Sequence, residues 1–332
     1  MKAYHYRDGV FEFAGAVSVE SNADWVAPWR IQVDQSKLYP FLIDKAAQAC
    51  SGIRVTFATT SENVSLFIEP CSEAICLDLC VEGLFVETIQ VEANTEEVTF
   101  APLTPGKKLV EIWLDPRYPL RLRAVAIDSD ADITKEERNK PRWVHYGSSI
   151  SHASTGRTPT KIWPALVANR AELHLTNLGF GGNCVFEPMI GRLIRDLPAD
   201  FISLKLGINV HRGALTQRTF APNVIGLIAL IREKHPHIPL AIISPIICPP
   251  RESERFHQQS LTLCEMRSIL ADVVATFQQY GDRNIHYVNG LSIFGTNDLQ
   301  YLPDELHPDA EGQFVVADNF TQHVVREIFS KP

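Results

Sequence analysis

Several short segments of this chain carry side chains that could perform acyl-transfer chemistry together. Ser149 lies in the small-residue turn GSSI (147–150), directly after the apolar run RWVHY. A serine between a strand and a helix lies near the free N–H groups of the helix N-terminus, which can bind a developing oxyanion. The segment therefore indicates an activated serine, although such a segment taken alone is more often a simple turn.

Two further segments offer hydrogen-bond donors for an oxyanion. The segment NLGFGGN (177–183) has three glycines in four positions, among them Gly182, and glycine lets the backbone adopt positive φ or approach a ligand closely. The segment KLGIN ends at Asn209, whose side-chain amide can donate a hydrogen bond. Tight packing of the glycine loop, and a helix cap or turn at Asn209, are the alternatives.

The last segment of this kind is DELHP (304–308), which pairs a carboxylate with a histidine. Asp304 precedes His307 by three residues, so the two side chains can meet across one turn. Such a carboxylate can fix the imidazole tautomer and stabilise the imidazolium that forms when a serine proton is taken. A surface Asp-x-x-His pair is the alternative, but its place after the last predicted strand favours the catalytic interpretation.

The hydrophobic pattern predicts the elements that must position these residues. From about residue 142 onward, helix-length amphipathic segments alternate with the apolar runs RWVHYG, ELHLTNLGF, FISLKLG, PLAIISPI and IHYVNG. Five such strands with helical crossovers predict a parallel sheet with helices on both faces. Ligands bind beyond the carboxyl ends of such strands, and each of the four segments follows a different strand.

Residues 10–130 have a different pattern. Short stretches such as VTFAT, SLFIE and EVTF alternate β-branched or aromatic residues with polar ones, and turn residues follow closely. This pattern predicts an antiparallel sandwich. We therefore place an N-terminal β-sandwich domain at residues 1–131, a charged linker at 132–141 and an α/β domain at 142–332.

The order Ser, Gly, Asn, Asp, His resembles the SGNH, or GDSL-like, family of serine esterases. The resemblance runs from about Trp143 to the C-terminus, through HYGSSISH, NLGFGGN, KLGIN and DELHPDAEG. It implies a three-layer α/β/α, flavodoxin-like domain and, as in two-domain members, a jelly-roll-like sandwich before it. It also implies that Ser149 is the nucleophile, His307 the general base and Asp304 its orienting partner. The oxyanion hole would then comprise Ser149, Gly182 and Asn209.

Two departures from the family pattern bear on this assignment. The family's usual Asp before the serine is Ser148 here, and the Asp that often follows the block-three Asn is Val210. Neither residue is a core catalytic group, so these departures bear on substrate preference and loop geometry more than on activity. Ser148 and Ser151 are alternative nucleophiles, although the motif register favours Ser149. His145 and His152 flank the nucleophile and are candidates for substrate contact.

The expected activity is hydrolysis of a small acyl ester, such as an acetyl ester of a sugar or another small-molecule alcohol, through an acyl-serine intermediate. An acyltransferase that passes the acyl group to an alcohol in a biosynthetic pathway is the nearest alternative, because the same residues serve both. A carbohydrate-binding protein with a vestigial catalytic half is an alternative of another class. The mechanism needs no metal and no organic cofactor.

The composition limits the setting and the partners. The 332 residues are 45% hydrophobic and 21% charged, which is typical of a globular protein, and the net charge is −8. The acidic surface and the lack of a basic block argue against nucleic acid and membrane surfaces as partners. Seven cysteines without a CxxC pair, no signal-like N-terminus and no long apolar run favour a cytoplasmic protein. The composition is compatible with a homo-oligomer as well as with a monomer.

Overall fold

The computed structural model describes residues 1–39, 41–136 and 139–329. Contacts divide the chain into two compact units. The first comprises Met1–Lys37, Asp44–Lys140 and Arg157–Thr160, and the second comprises Leu38–Ile43, Pro141–Gly156 and Lys161–Pro332. Among the described residues, no helix is both long and apolar enough to cross a membrane.

The first unit is built from two antiparallel sheets. One sheet has the order β3-β4-β11-β6-β9 with β1 added beside β11, and the other has the order β12-β5-β10-β7-β8 with β2 added beside β5. The strands are β1 (Lys2–Tyr4), β2 (Glu12–Ala14), β3 (Ser18–Ser21), β4 (Val26–Trp29), β5 (Arg54–Thr59), β6 (Val64–Ile68), β7 (Ile75–Val81), β8 (Leu84–Val91), β9 (Glu97–Thr99), β10 (Lys108–Trp113), β11 (Leu122–Ile127) and β12 (Ile133–Thr134). The helix α1 (Phe41–Gln48) lies before β5 in the chain.

The two sheets share one hydrophobic core. Phe57 and Val110 from one sheet and Leu66 and Val125 from the other are fully buried members of the same cluster. Alternation of apolar and polar residues along these strands places the apolar set on the inner face, as expected of a sandwich. The predicted linker 132–141 contains β12, which pairs with β5, so its first residues belong to a sheet. Residues 137 and 138 of that segment lie outside the described residues.

The second unit contains a parallel sheet of five strands in the order β14-β13-β15-β16-β17. The strands are β13 (Arg142–Gly147), β14 (His174–Gly179), β15 (Phe201–Lys205), β16 (Leu240–Ile243) and β17 (Ile285–Val288). The helices are α2 (Ser149–His152), α3 (Trp163–Arg170), α4 (Pro188–Asp196), α5 (Phe220–Arg232), α6 (Leu263–Gln279), α7 (Gly290–Ile293) and α8 (Gly312–Phe320). This strand order is the flavodoxin-like one, so the predicted fold class is confirmed.

Aromatic side chains fix helices on both faces of this sheet. Trp143 on β13 packs against Trp163 of α3, with ring centroids 6.2 Å apart, and against Phe320 of α8, at 5.2 Å. Tyr146, three residues along the same strand, points to the opposite face. There, Phe186 just before α4 packs on Phe220 of α5 at 5.7 Å. The strand therefore lies between two helical layers.

Local sequence signals explain where several helices begin. Thr262 and Glu265 form a reciprocal capping box at the start of α6, in which the Thr262 hydroxyl accepts from the Glu265 N–H at 3.2 Å. Proline occupies the first turn of α3 and of α4, where its missing N–H costs nothing. The last predicted helix differs from expectation, because α8 continues as π-helical turns over Thr321–Phe329. At that junction the Thr321 hydroxyl donates to the carbonyl of Ala317 at 2.8 Å.

Candidate active site

Ser149 is the first residue of α2 and lies two residues beyond the end of β13. Ser148 caps this helix: its Oγ accepts from the Ile150 N–H at 3.3 Å, and its carbonyl accepts from the N–H groups of Ser151 and His152. The side chain of Ser148 is fully buried, whereas Ser149 is half-buried. The turn from strand to helix therefore holds Ser148 inside and presents the Ser149 hydroxyl outward.

The loop that carries His307 brings the imidazole to this hydroxyl. The Ser149 Oγ lies 2.8 Å from His307 Nε2, and His307 Nδ1 lies 2.6 Å from Asp304 Oδ2. The other carboxylate oxygen of Asp304 accepts from the backbone N–H groups of Leu306 and His307, at 3.1 and 2.7 Å. The three predicted residues thus form one continuous chain of hydrogen bonds. This chain of hydrogen bonds fits the imidazole tautomer in which Nδ1 carries the proton and Nε2 accepts from the serine hydroxyl.

The surroundings keep the Asp304 carboxylate ionised. Partial burial disfavours the charge, but hydrogen bonds from the His307 ring and from the N–H groups of His307 and Leu306 outweigh it and lower the pKa of Asp304. The side chains of His307 and Asp304 are 28% and 53% exposed, so water reaches both. A charged carboxylate at this place stabilises an imidazolium that forms beside it.

The glycine loop after β14 lies against the serine. A Cβ built on Gly181 would come 3.7 Å from the Ser149 Cβ. Gly182 has φ +75°, and a Cβ there would meet nothing within 4 Å, so open space borders it. The structure therefore places the predicted donor Gly182 on an exposed loop that is one residue from contact with Ser149.

Asn209 follows β15 in a short 3₁₀ turn, and its amide orientation is fixed. Its Oδ1 accepts from the Cys184 N–H at 2.9 Å, which joins this turn to the glycine loop. Nδ2 is the donor atom of this amide, and the bond to Oδ1 fixes the side on which it lies. Gly207 makes the turn possible, since it has φ +118° and a Cβ there would lie 2.6 Å from Pro245 Cγ.

The two flanking histidines have different places. His145 is fully buried beneath α2, with Nδ1 2.7 Å from Ser203 Oγ and Nε2 2.8 Å from Ser151 Oγ. Burial, reinforced by the charge of Lys205, lowers the pKa of His145 to about 3, so it supports the helix as a neutral ring. The His152 ring borders the glycine loop, with Nδ1 3.8 Å from where a Gly181 Cβ would lie.

Two polar residues that the sequence did not single out hold the histidine loop. The carbonyl of Pro308, the residue after His307, accepts from Thr155 Oγ1 and from Gln313 Nε2. Thr155 and Gln313 are separated by 158 positions, and neither stands in a pattern that marks a catalytic group. The sole sequence signal available was their closeness to Ser149 and to His307 along the chain.

Comparison with family models places both halves of the chain. A model described as the GDSL-like lipase/acylhydrolase family matches residues 140–326. A second model, described as the N-terminal domain of SsfX3, matches residues 11–120. A search of curated proteins gave no significant match.

Solved structures extend this comparison over nearly the whole chain. The salicylyl-acyltransferase SsfX3 from a tetracycline biosynthetic pathway is 30% identical with a TM-score of 0.91, and the match covers 98% of this chain and 96% of that one. A Bacteroides ovatus protein assigned as a GDSL-like lipase is 18% identical with a TM-score of 0.77, covering 99% and 98%. A family two carbohydrate esterase from Clostridium thermocellum, in complex with cellohexaose, is 14% identical at 0.69, covering 96% and 99%. The last two show similarity of fold alone.

Proposed function

This chain belongs to the GDSL-like lipase/acylhydrolase family, and we propose that it cleaves a small acyl ester through a covalent acyl-serine intermediate. The observation that carries the proposal is the chain of hydrogen bonds from Ser149 Oγ through the His307 ring to the Asp304 carboxylate. A hydroxyl is a weak nucleophile until an adjacent base takes its proton, and this arrangement supplies such a base. The substrate class is an acyl ester of a sugar or of another small-molecule alcohol.

The proposed reaction proceeds in two halves. Ser149 Oγ attacks the ester carbonyl while His307 Nε2, 2.8 Å away, takes the hydroxyl proton. The imidazolium, stabilised by Asp304, then gives this proton to the leaving alcohol, and the acyl group stays on the serine. Water deprotonated by the same imidazole attacks the acyl-enzyme, which releases the carboxylic acid and returns the proton to Ser149.

We assign the developing oxyanion to three donors. They are the backbone N–H groups of Ser149 and Gly182 and the Nδ2 atom of Asn209. The fixed orientation of the Asn209 amide and the open space beside Gly182 support this assignment. Donors that are already oriented need no reorganisation as charge develops, and removing one typically costs about 2.7–4 kcal/mol of barrier.

Water is the first acceptor that we propose for the acyl group. The exposed fractions of the His307 and Asp304 side chains, 28% and 53%, support it because bulk water can reach the base. Transfer to an alcohol is the second candidate. Its specific support is the 30% identity to a salicylyl-acyltransferase over 98% of this chain. Both acceptors use the same acyl-enzyme, so the choice lies in what enters after the first alcohol leaves.

We also propose that the enzyme works in a reducing, cytoplasmic setting, on a small molecule and without nucleic acid or membrane as partner. All seven cysteines lie in the described part of the chain, and no disulfide joins any of them. Burial raises the pKa of the Cys50 and Cys184 thiols to about 12, so they stay protonated. Such thiols behave as small buried hydrophobic groups.

The test is an acyl-donor panel read by product as well as by rate. p-Nitrophenyl esters from acetate to octanoate, and a salicylyl ester, are incubated with and without sugar or other alcohol acceptors, and both acid and new ester are quantified. Hydrolysis predicts that acid accounts for all donor consumed. New ester that exceeds the acid formed would favour the acyltransferase instead, and no turnover of any donor would contradict both. Ser149→Ala is the blank.

A further inference from the structure

The Asp304–His307 pair is a local unit that cannot by itself set the position of the imidazole against the serine. Asp304 binds the ring and the backbone N–H of His307 within one turn, so the two residues move together. Ser149 lies 158 positions away on a different element. A loop residue that must act as a base needs a second constraint, since misplacement by about 1 Å can cost about a hundredfold in rate.

The carbonyl of Pro308 supplies a point at which this loop is held. Thr155 Oγ1 donates to it at 2.6 Å, and Gln313 Nε2 donates to it at 3.1 Å. Gln313 Nε2 also donates to Thr155 Oγ1 at 3.0 Å. Thr155 follows α2 by three residues and Gln313 is the second residue of α8. The residue directly after His307 is therefore held to both helices.

Close packing leaves little room for the loop to shift. A Cβ on Gly312, at the start of α8, would come 2.9 Å from the Pro308 Cβ. Gln313 itself is fully buried, and both donor hydrogens of its amide are used. A buried amide with all its partners in place has one orientation, which rigidifies the groups that it contacts.

The same amide also belongs to a chain of hydrogen bonds that leads back to the serine. Gln313 Oε1 accepts from the Trp163 N–H at 3.0 Å, and Trp163 Nε1 donates to the carbonyl of Ile150 at 2.7 Å. Ile150 is the residue after Ser149. Hydrogen bonds and chain neighbours thus connect Ser149 to His307 through Ile150, Trp163, Gln313 and Pro308. The hydrogen bond between His307 and Ser149 closes this path into a ring.

We propose that Thr155 and Gln313 are positioning residues, which set the Ser149–His307 distance by holding the carbonyl of Pro308. This inference rests on the proposed function. The two residues act on the step in which the serine proton is taken, because they hold the base and not the ligand. Their loss therefore lowers kcat and leaves KM nearly unchanged.

The test compares Thr155→Val with Thr155→Ser. Valine has the shape of threonine but no hydroxyl, whereas serine keeps the hydroxyl donor. Because Thr155 is exposed, we expect both variants to fold. Thr276→Val is the matched control, because it also removes an exposed hydroxyl bonded to a backbone carbonyl, that of Asp272, on α6. For each variant we measure kcat and KM on a p-nitrophenyl ester, the pH-dependent rate of Ser149 labelling by a fluorophosphonate, and Tm.

Thr155→Val should lower kcat and the labelling rate together by about tenfold or more, with KM within about twofold and Tm close to that of Thr276→Val. Thr155→Ser should retain most of both rates. Gln313→Glu keeps the acceptor for Trp163 but replaces the amide donors with a carboxyl group. Its deficit relative to wild type should grow as the pH rises, because the ionised form cannot donate to Pro308.

Wild-type kcat and labelling rate in Thr155→Val would overturn the inference, as would equal losses in Thr155→Val and Thr155→Ser. A rise in KM with unchanged kcat would also overturn it, because it would indicate a ligand contact. If the fluorophosphonate fails to label Ser149 in the wild-type chain, the proposed function itself fails and this inference falls with it. The wild-type labelling experiment thus separates the two failures.

Discussion

Three serines lie within four residues of the end of β13, and their partners separate their roles. Ser148 Oγ caps α2, and Ser151 Oγ is bonded to the buried His145 ring. Of the three, all of which the structure describes, Ser149 alone is hydrogen-bonded to His307. The motif register favours Ser149, and these hydrogen-bond partners supply a physical reason for that preference.

At the residue scale, Asn209→Asp separates the structural contact of this side chain from its proposed role as an oxyanion donor. Aspartate keeps an oxygen for the Cys184 N–H but has no donor for an oxyanion. We therefore expect the loop to stay in place while kcat falls about 10²–10³-fold. Steady-state kinetics on a p-nitrophenyl ester, with Tm as the check on folding, measure this effect. A variant with the kcat of the wild type would show that Asn209 donates to no developing charge.

At the element scale, glycines at the strand ends let α2 approach the sheet. A Cβ on Gly179, the last residue of β14, would come 2.3 Å from the His152 N and 2.4 Å from the Ser151 carbonyl carbon. Both are backbone atoms, so no side chain can rotate to make room. The helix that carries Ser149 is therefore seated directly on the neighbouring strand, and the small residues in NLGFGGN have a structural role besides any role in binding.

We expect Gly179→Ala to destabilise the protein and to reduce activity together. Overpacking of this kind typically costs about 1–3 kcal/mol, and displacement of α2 would also move Ser149. Gly226→Ala on α5 is the matched control, because a Cβ there meets nothing within 4 Å and alanine favours a helix interior. Urea unfolding and kcat/KM are the measurements. A Gly179→Ala variant as stable as Gly226→Ala would contradict the close approach.

The sequence predicted the elements well where one physical signal dominates. Apolar runs bounded by turn residues marked the five parallel strands. The polar residues that follow these strands were therefore expected at one edge of the sheet. The π-helical continuation at Thr321–Phe329 was not predictable, because π turns are rare and the spacing of its buried residues, Val324, Val325, Ile328 and Phe329, also fits an α-helix. The short strand β12 within the predicted linker was missed because two residues carry no periodic pattern.

Over the whole molecule, the features that could not be predicted from the sequence depend on contacts between segments that are distant along the chain. The meeting of Ser149, Asp304 and His307 could be predicted, because these residues follow strands whose carboxyl ends lie at one edge of the sheet. Thr155 and Gln313 could not, because a hydroxyl and an amide become informative when their partners are known. The burial of Lys205 at the end of β15 was equally hidden, since charged residues are seldom enclosed.

The buried Lys205 predicts a dependence of global stability on pH. It is 3% exposed, and burial lowers its pKa from the ordinary value of 10.5 to about 8. Between these values the unfolded chain binds a proton that the folded chain has lost, so this group adds stability as the pH rises from about 8 to 10. Below that range the folded state bears the full cost of the buried charge.

Relative to Lys205→Met, the wild-type free energy of unfolding should therefore rise by about 1–3 kcal/mol between pH 7 and pH 10. Urea unfolding of both proteins at several pH values measures the difference, and groups common to both cancel. A difference that stays constant over this range would mean that Lys205 has the same proton affinity in the folded and unfolded chains.

The most direct test of the central claim locates the nucleophile. Wild type, Ser149→Ala and Ser148→Ala are treated with a fluorophosphonate, and the modified peptide is mapped by mass spectrometry. We expect one adduct on Ser149 in the wild type, the same adduct in Ser148→Ala, and none in Ser149→Ala, whose fold should be intact because a small half-buried side chain is removed. An adduct on Ser148 or Ser151, or an unmodified wild-type chain, would contradict the proposed mechanism.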